Sequence, residues 1–268
     1  MLMSQIFFLV LPVFIVLFLG SFLKRVGIID DTFVSSSNSL VFKVALPLLL
    51  FTSISKANIK SVLDWRFVLI IFVSIAIVAL LSTAFAKLMR YSPDISGAVV
   101  LNSIRGNYAN MALPVFFYVY GNEGLLYASV ILAFIVPYTS LLAIISLSVL
   151  AESKTAIKPM LVKAVLNPLT IGCVSGIAFS YSGLIMPKFI ATSLSNVSAI
   201  ALPLALFCVG SAITFASIKN DFFLSTVCSF FKMIINPLIA YLILIAWGIE
   251  ITMGAKALII LLAAPSGI

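Results

Sequence analysis

The sequence predicts an all-α polytopic membrane protein, and three observations carry that prediction. Apolar residues make up 63% of the 268-residue chain and charged residues 9%, with a mean hydropathy of +1.28, which places it outside the soluble globular classes. The apolar residues fall in runs of about 20, the length at which a helix crosses the hydrocarbon core. The basic residues, which leave a net charge of +8, gather mainly in the short segments between those runs, as membrane topology requires.

The same composition closes off several functions. There are no histidines, and Cys173, Cys208 and Cys228 stand singly inside apolar stretches. That removes the usual metal constellations and any disulfide framework, and no cofactor is expected. An intramembrane enzyme is not expected either, for there is no H-E-x-x-H, no pair of aspartates inside the spans and no histidine to serve a serine. With the basic residues serving topology, the expected partner is the lipid bilayer and not nucleic acid.

Taken in order, the first span, near 5–23, starts at Gln5 without a basic leader or a small-residue cleavage site, so it reads as a retained helix. The connection 24–34, with Asp30 and Asp31, separates it from a span near 35–55; 56–66 leads to 67–88; 89–95, with Pro93, leads to 96–119. A brief 121–123 connection precedes 124–151, and 152–163 precedes 165–185. Spans near 189–217 and 222–248 follow, and the ninth, 252–268, is cut short. No soluble domain fits in any connection.

The fourth span is unlike the others. Residues 102–118 read N-S-I-R-G-N-Y-A-N-M-A-L-P-V-F-F-Y, with an arginine, three asparagines, a glycine and a proline. Backbone groups in hydrocarbon must be paired inside the protein, so Gly106–Asn107 and Pro114 mark a helix interrupted where it faces a cavity. Interrupted helices are where secondary transporters keep their substrate sites. The plainer reading is a kinked helix whose asparagines bond to neighbouring helices.

Charge sharpens the choice. Connections on one side of the membrane carry Lys24, Arg25, Lys87, Arg90, Lys154, Lys158, Lys163 and Lys219; the other side carries Lys56, Lys60, Arg66, Lys188 and Lys256. This bias places the N-terminus outside and the 152–163 connection in the cytoplasm, in the plasma membrane. Lys43, Arg105 and Lys232 remain inside spans, while all eight acidic residues lie in connections or at span ends. Cations at depth cost roughly 2.5–3.5 kcal/mol each on insertion scales, and a bound anion is the economical compensation. Snorkelling toward an interface is the alternative for Lys43 and Lys232, which are otherwise candidates for charge or coupling. Arg105, beside the Gly-Asn break, is the strongest candidate of the three.

The chain also repeats itself. V-A-L-P-L-L-L-F at 44–51 returns as I-A-L-P-L-A-L-F at 200–207, an offset of 156 residues. With three residues of slippage the offset sets Gly106 opposite Pro265, where A-A-P-S-G-I ends the chain. Halves 1–156 and 157–268 are thus expected as repeats of five helices each, the second incomplete. An odd number makes the repeat inverted and brings the broken helices four and nine together.

These residues resemble the auxin efflux carrier family of membrane transporters, in its bacterial branch, within the wider group of bile acid and arsenite transporters. The matching signatures are L-K-R-V-G-I-I-D at 23–30, A-L-P-L-L-L-F at 45–51, R-G-N-Y-A-N-M-A-L-P at 105–114, N-P-L-T-I-G-C-V-S-G-I at 167–177, L-P-L-A-L-F-C-V-G-S at 202–211 and A-A-P-S-G-I at 263–268. The resemblance implies ten helices in two inverted repeats, a scaffold domain and a transport domain, and a substrate site where helices four and nine cross. It puts Asn107 on the family's crossover asparagine that meets the substrate carboxylate, and Gly106 in the place of a crossover proline. Pro265, Ser266 and Gly267 match the helix-nine break. A second half matched to the first would run about 40 residues past Ile268, so the chain is expected to be truncated within helix nine.

The expected function is a secondary transporter, an efflux carrier of small organic anions such as carboxylates, working by alternating access. Arg105, Gly106, Asn107, Asn110, Pro265, Ser266 and Gly267 are its expected substrate-binding residues, with helix-end N–H groups facing the anion. A sodium-coupled symporter of the bile acid type and a truncated, non-transporting remnant are the alternatives, and a homodimer is left open. The predicted topology has a direct check. With the three native cysteines removed, a cysteine at position 155 should be protected from an impermeant thiol reagent added outside intact cells, and labelling there reverses the orientation.

Overall fold

A computed structural model describes residues 2–150, 162, 166–212 and 222–266, with side chains described except at 2–7, 60 and 147–150. Lys154, Lys158, Lys163, Lys219, Gly267 and Ile268, and the connections most of them belong to, lie outside the described residues. The described residues are helical, in agreement with the all-α reading: α1 (Leu2–Arg25), α2 (Asp31–Leu40), α3 (Leu46–Ser55), α4 (Ile59–Val62), α5 (Trp65–Leu88), α6 (Pro93–Ile104), α7 (Leu113–Leu150), α8 (Pro168–Ser182), α9 (Lys188–Ala199), α10 (Ala201–Ala212), α11 (Phe222–Phe230), α12 (Asn236–Ala246) and α13 (Met253–Leu262). Three π-helical turns are set among them: π1 (Val41–Ala45), π2 (Tyr108–Ala112) and π3 (Phe231–Ile235). Among the described residues six helical stretches are long and apolar enough to cross a membrane: Phe8–Arg25, Asp31–Ser55, Trp65–Leu88, Tyr108–Ser146, Lys188–Ala212 and Phe222–Ala246.

The helix ends are set by short polar side chains. Asp30 caps α2 by accepting from the Phe33 N–H at 2.7 Å, and Asp31 pairs with Lys24 at the end of α1. Asp64 caps α5 and holds Arg66 through both carboxylate oxygens, a bond that keeps its carboxyl below the usual range. The fourth expected span is broken at Arg105–Asn107, and where the 121–123 connection is expected the run of α7 is two helices meeting at a kink, with Gly121 at φ 64°. Glycine takes that conformation without a Cβ penalty.

The chain forms two compact units that interleave along the sequence. The first consists of Met1–Leu63, Ala109–Val130 and Pro168–Phe215; the second of Asp64–Tyr108, Ile131–Asn167 and Ala216–Ile268.

In the first unit, α1 packs along α10 and α3 along α8. Small residues let the backbones touch. A Cβ on Gly210 would run into the Leu17 carbonyl, and one on Gly20 into that of Phe207. A Cβ on Gly172 would lie 2.8 Å from the Pro47 Cα. Apolar side chains gain little from leaving lipid for protein, so close approach of this kind is what holds membrane helices together. Phe51 meets Phe179 edge to face at 5.8 Å, and the Ser180 hydroxyl donates to the Ala57 carbonyl at 2.6 Å.

In the second unit, α5 is buried along Ile70, Ile71, Ile75 and Val78 and packs against α6 and α12. Its buried hydroxyls stay local: Ser74 donates to the Ile71 carbonyl and Ser82 to that of Val78. Tyr138 of α7 stacks on Phe72 of α5 at 4.4 Å and donates its hydroxyl to the Phe72 carbonyl. Large apolar side chains such as Phe18 (71% exposed) and Leu80 (70%) lie outside the core, as helices solvated by lipid permit.

Gly210→Leu should force α1 and α10 apart and cost at least about 1–3 kcal/mol. Thermal unfolding of the detergent-purified protein measures it, and an unchanged midpoint would refute backbone contact at this position.

Candidate functional site

The break in the fourth span is built from both ends. α6 starts on Pro93, whose missing N–H costs nothing at a first-turn position, and stops when Arg105 turns extended (φ −88°, ψ 115°). A helix end leaves carbonyls open, and here they are taken up one by one. The Arg105 N–H donates to the Leu101 carbonyl at 2.9 Å, the Ser266 hydroxyl to that of Asn102 at 2.8 Å, and the Tyr108 hydroxyl to that of Ile104 at 3.0 Å.

The second break follows α13. The helix closes with the Ala263 and Ala264 N–H groups turned back on Ile259 and Leu261. Pro265 cannot continue the ladder, having no N–H. Its carbonyl accepts the Asn107 N–H at 2.7 Å, and Gly106 and Ser266 face each other as an antiparallel bridge. Gly106, Asn107, Pro265 and Ser266 are therefore brought together as one element. Each is partly exposed; Gly267 lies outside the described residues.

The remaining candidates differ in setting. Arg105 and Lys43 are exposed, Lys43 on π1. Asn110 belongs to the other compact unit, with its side-chain oxygen buried and unpartnered. Lys232 is entirely buried on π3, so snorkelling does not describe it. Its Nζ donates to the Tyr108 hydroxyl at 3.1 Å and lies 4.8 Å from the centre of that ring. A Cβ on Gly106 would meet Tyr108 Cε1 at 2.6 Å and Lys232 Cε at 2.9 Å, so only glycine lets this pair pass beneath the break. Lys43, Asn110 and Lys232 each sit on a π turn, a local irregularity that recurs at functional sites.

Sequence reasoning missed Tyr108, Asn102 and Asn236. Tyr108 lay inside the R-G-N-Y motif as a hydroxyl amid apolar residues; Asn236 was signalled only by an Asn-Pro pair. It also missed a cavity of about 640 Å³ inside the first unit, whose lining includes Thr52, Ser53, Lys56, Tyr118, Glu123 and Ser198. None of the expected site residues lines it.

The sequence profile of a family described as membrane transport protein matches residues 5–268. The chain is 28% identical over 248 residues to an uncharacterized transporter of Methanocaldococcus jannaschii, spanning 87% of this chain and 77% of that one. It is 27% identical over 237 residues to an uncharacterized transporter of Methanothermobacter thermautotrophicus, spanning 86% and 76%.

Gly106→Ala should displace the Lys232–Tyr108 pair and destabilise the protein by about 1–3 kcal/mol. The loss is read as a lower unfolding midpoint in detergent, and a midpoint equal to that of the parent would show that the space beneath the break is not filled.

Proposed function

Because the chain belongs to the membrane transport protein family, the auxin efflux carrier-like group of multi-pass membrane proteins, we propose that it is a secondary transporter of small organic anions, with the Gly106–Ser266 crossing as its substrate site. The observation that carries this reading is the junction of two broken helices through Asn107 N–H and Pro265 O. Nothing in a lipid-spanning fold requires two helices to be interrupted at the same place, and interrupted helices in transporters are built around a ligand.

The chemistry suits an anion. The Asn107 side chain supplies amide donors at the crossing, the break sits against one buried lysine amine, and the exposed Arg105 guanidinium adds a positive field beside it. Carboxylates are the matching class, and acidic residues, which would compete for these donors, are missing from the predicted spans. Residues 1–156 and 157–268 would be two inverted repeats, and substrate would reach the crossing by alternating access. Outward movement of an anion from the cytoplasm is favoured by the membrane potential at about 2.3 kcal/mol per charge per 100 mV, which makes efflux the direction proposed.

Asn107→Ala should weaken carboxylate binding by about 1.5–3 kcal/mol, the worth of one hydrogen bond to a charged group, without lowering expression. Uptake and efflux in proteoliposomes across a carboxylate panel measures it; unchanged kinetics would return Asn107 to a structural contact.

A further inference from the structure

Lys232 is an oddity of the second unit. Its side chain is wholly buried and its hydrogen bond goes to a neutral phenol. Among the described residues the ion pairs are Lys24–Asp31 and Arg66–Asp64, and neither involves Lys232. The elements packed against π3 are α5, α6, α11 and α12. α11 and α12 carry no charged residue, α5 carries Arg66 and Lys87 near its ends, and α6 carries Asp94 in its exposed first turn, at the opposite end from the break. Among the described residues no carboxylate is placed to neutralise the amine. Asn236, next after π3 and also fully buried, has neither amide atom bonded to protein.

A buried amine with no acid beside it among the described residues carries a charge only at a cost, and its position identifies what offsets that cost. The ammonium is one bond beyond Cε, which lies against Gly106 itself. A ligand at the crossing would therefore lie directly across the break from this charge. We infer that Lys232 is the counter-charge for the transported anion and that the site selects anions bearing a single negative charge. The inference rests on the crossing being the substrate site. One buried cation balances one charge; a second carboxylate would find no further buried cation at the break. Arg105, exposed and with no contact to the buried side of the break, contributes less.

The test uses the full chain, purified and reconstituted. Monocarboxylates from acetate to benzoate, their neutral amides, and dicarboxylates of similar size are compared by ligand-induced thermal stabilisation and by competition for transport. Monocarboxylates should be at least about tenfold more potent than either other series. Lys232→Met should raise the unfolding midpoint without ligand, because an uncompensated charge is removed, and weaken monocarboxylates at least about tenfold. Tyr108→Phe, which removes only the hydrogen bond, should change potency by less than about threefold.

A lowered midpoint with affinity retained in Lys232→Met would make the lysine a strut and overturn the inference. So would a Tyr108→Phe variant that matches it, or a parent protein that prefers dicarboxylates or amides. Should Lys232→Met fail to fold, the charge series on the parent decides alone. If no carboxylate binds the parent, the crossing loses its substrate reading and Lys232 loses its role with it. If carboxylates bind and Asn107→Ala weakens them while Lys232→Met does not, the site stands and only the counter-charge falls.

Discussion

Hydrocarbon offers the peptide backbone no partner, and the Arg105–Asn107 break is shaped by that constraint. Interrupting α6 frees carbonyls that water would satisfy in a soluble protein. Here a hydroxyl from Ser266, a hydroxyl from Tyr108 and a backbone N–H are brought to them. The break after α13 is resolved by the same means, its Pro265 carbonyl taking the Asn107 N–H. Each interruption completes the other, so the two broken segments are stable as a joined pair where either alone would leave orphaned groups.

Along two of the long helices polar groups are satisfied locally. Along α5 and α7 the buried hydroxyls of Ser74, Ser82, Ser129 and Thr139 donate to carbonyls of their own helices, which leaves those faces apolar toward their neighbours. The first unit goes further and replaces side chains with backbone contact at Gly20, Gly172 and Gly210. Rigid, nearly featureless helices can carry a costly cluster of polar groups at one place, and the family's transport role gives that cost a use.

The charge balance points the same way. Three cations stand within the apolar spans, and the structure sorts them by environment: Lys43 and Arg105 are exposed, Lys232 is enclosed. Arg105 drew attention in the sequence because it adjoins the Gly-Asn break. The enclosed amine lies more than a hundred residues away in the chain and reaches the break only because π3 packs against α6.

What the sequence determined by itself is the class of the protein and the location of the interruptions. Runs of about 20 apolar residues have one use in a fold, and Gly106, Asn107 and Pro265 mark where a helix is weakened, glycine being costly in a helix and proline lacking the N–H of the ladder. Those are local properties, readable residue by residue. The tertiary structure decided what the interruptions meet: that Asn107 bonds to Pro265, that Ser266 and Tyr108 close the end of α6, that Asn110 falls in the other compact unit and that Lys232 lies under Gly106. Periodicity and composition are blind to such pairings, since residues distant in sequence share a site only through the way their helices pack. Burial of a lysine in particular cannot be read from its neighbours in the chain, because a long flexible side chain reaches an interface or a core with equal ease, and only the surrounding helices close one route.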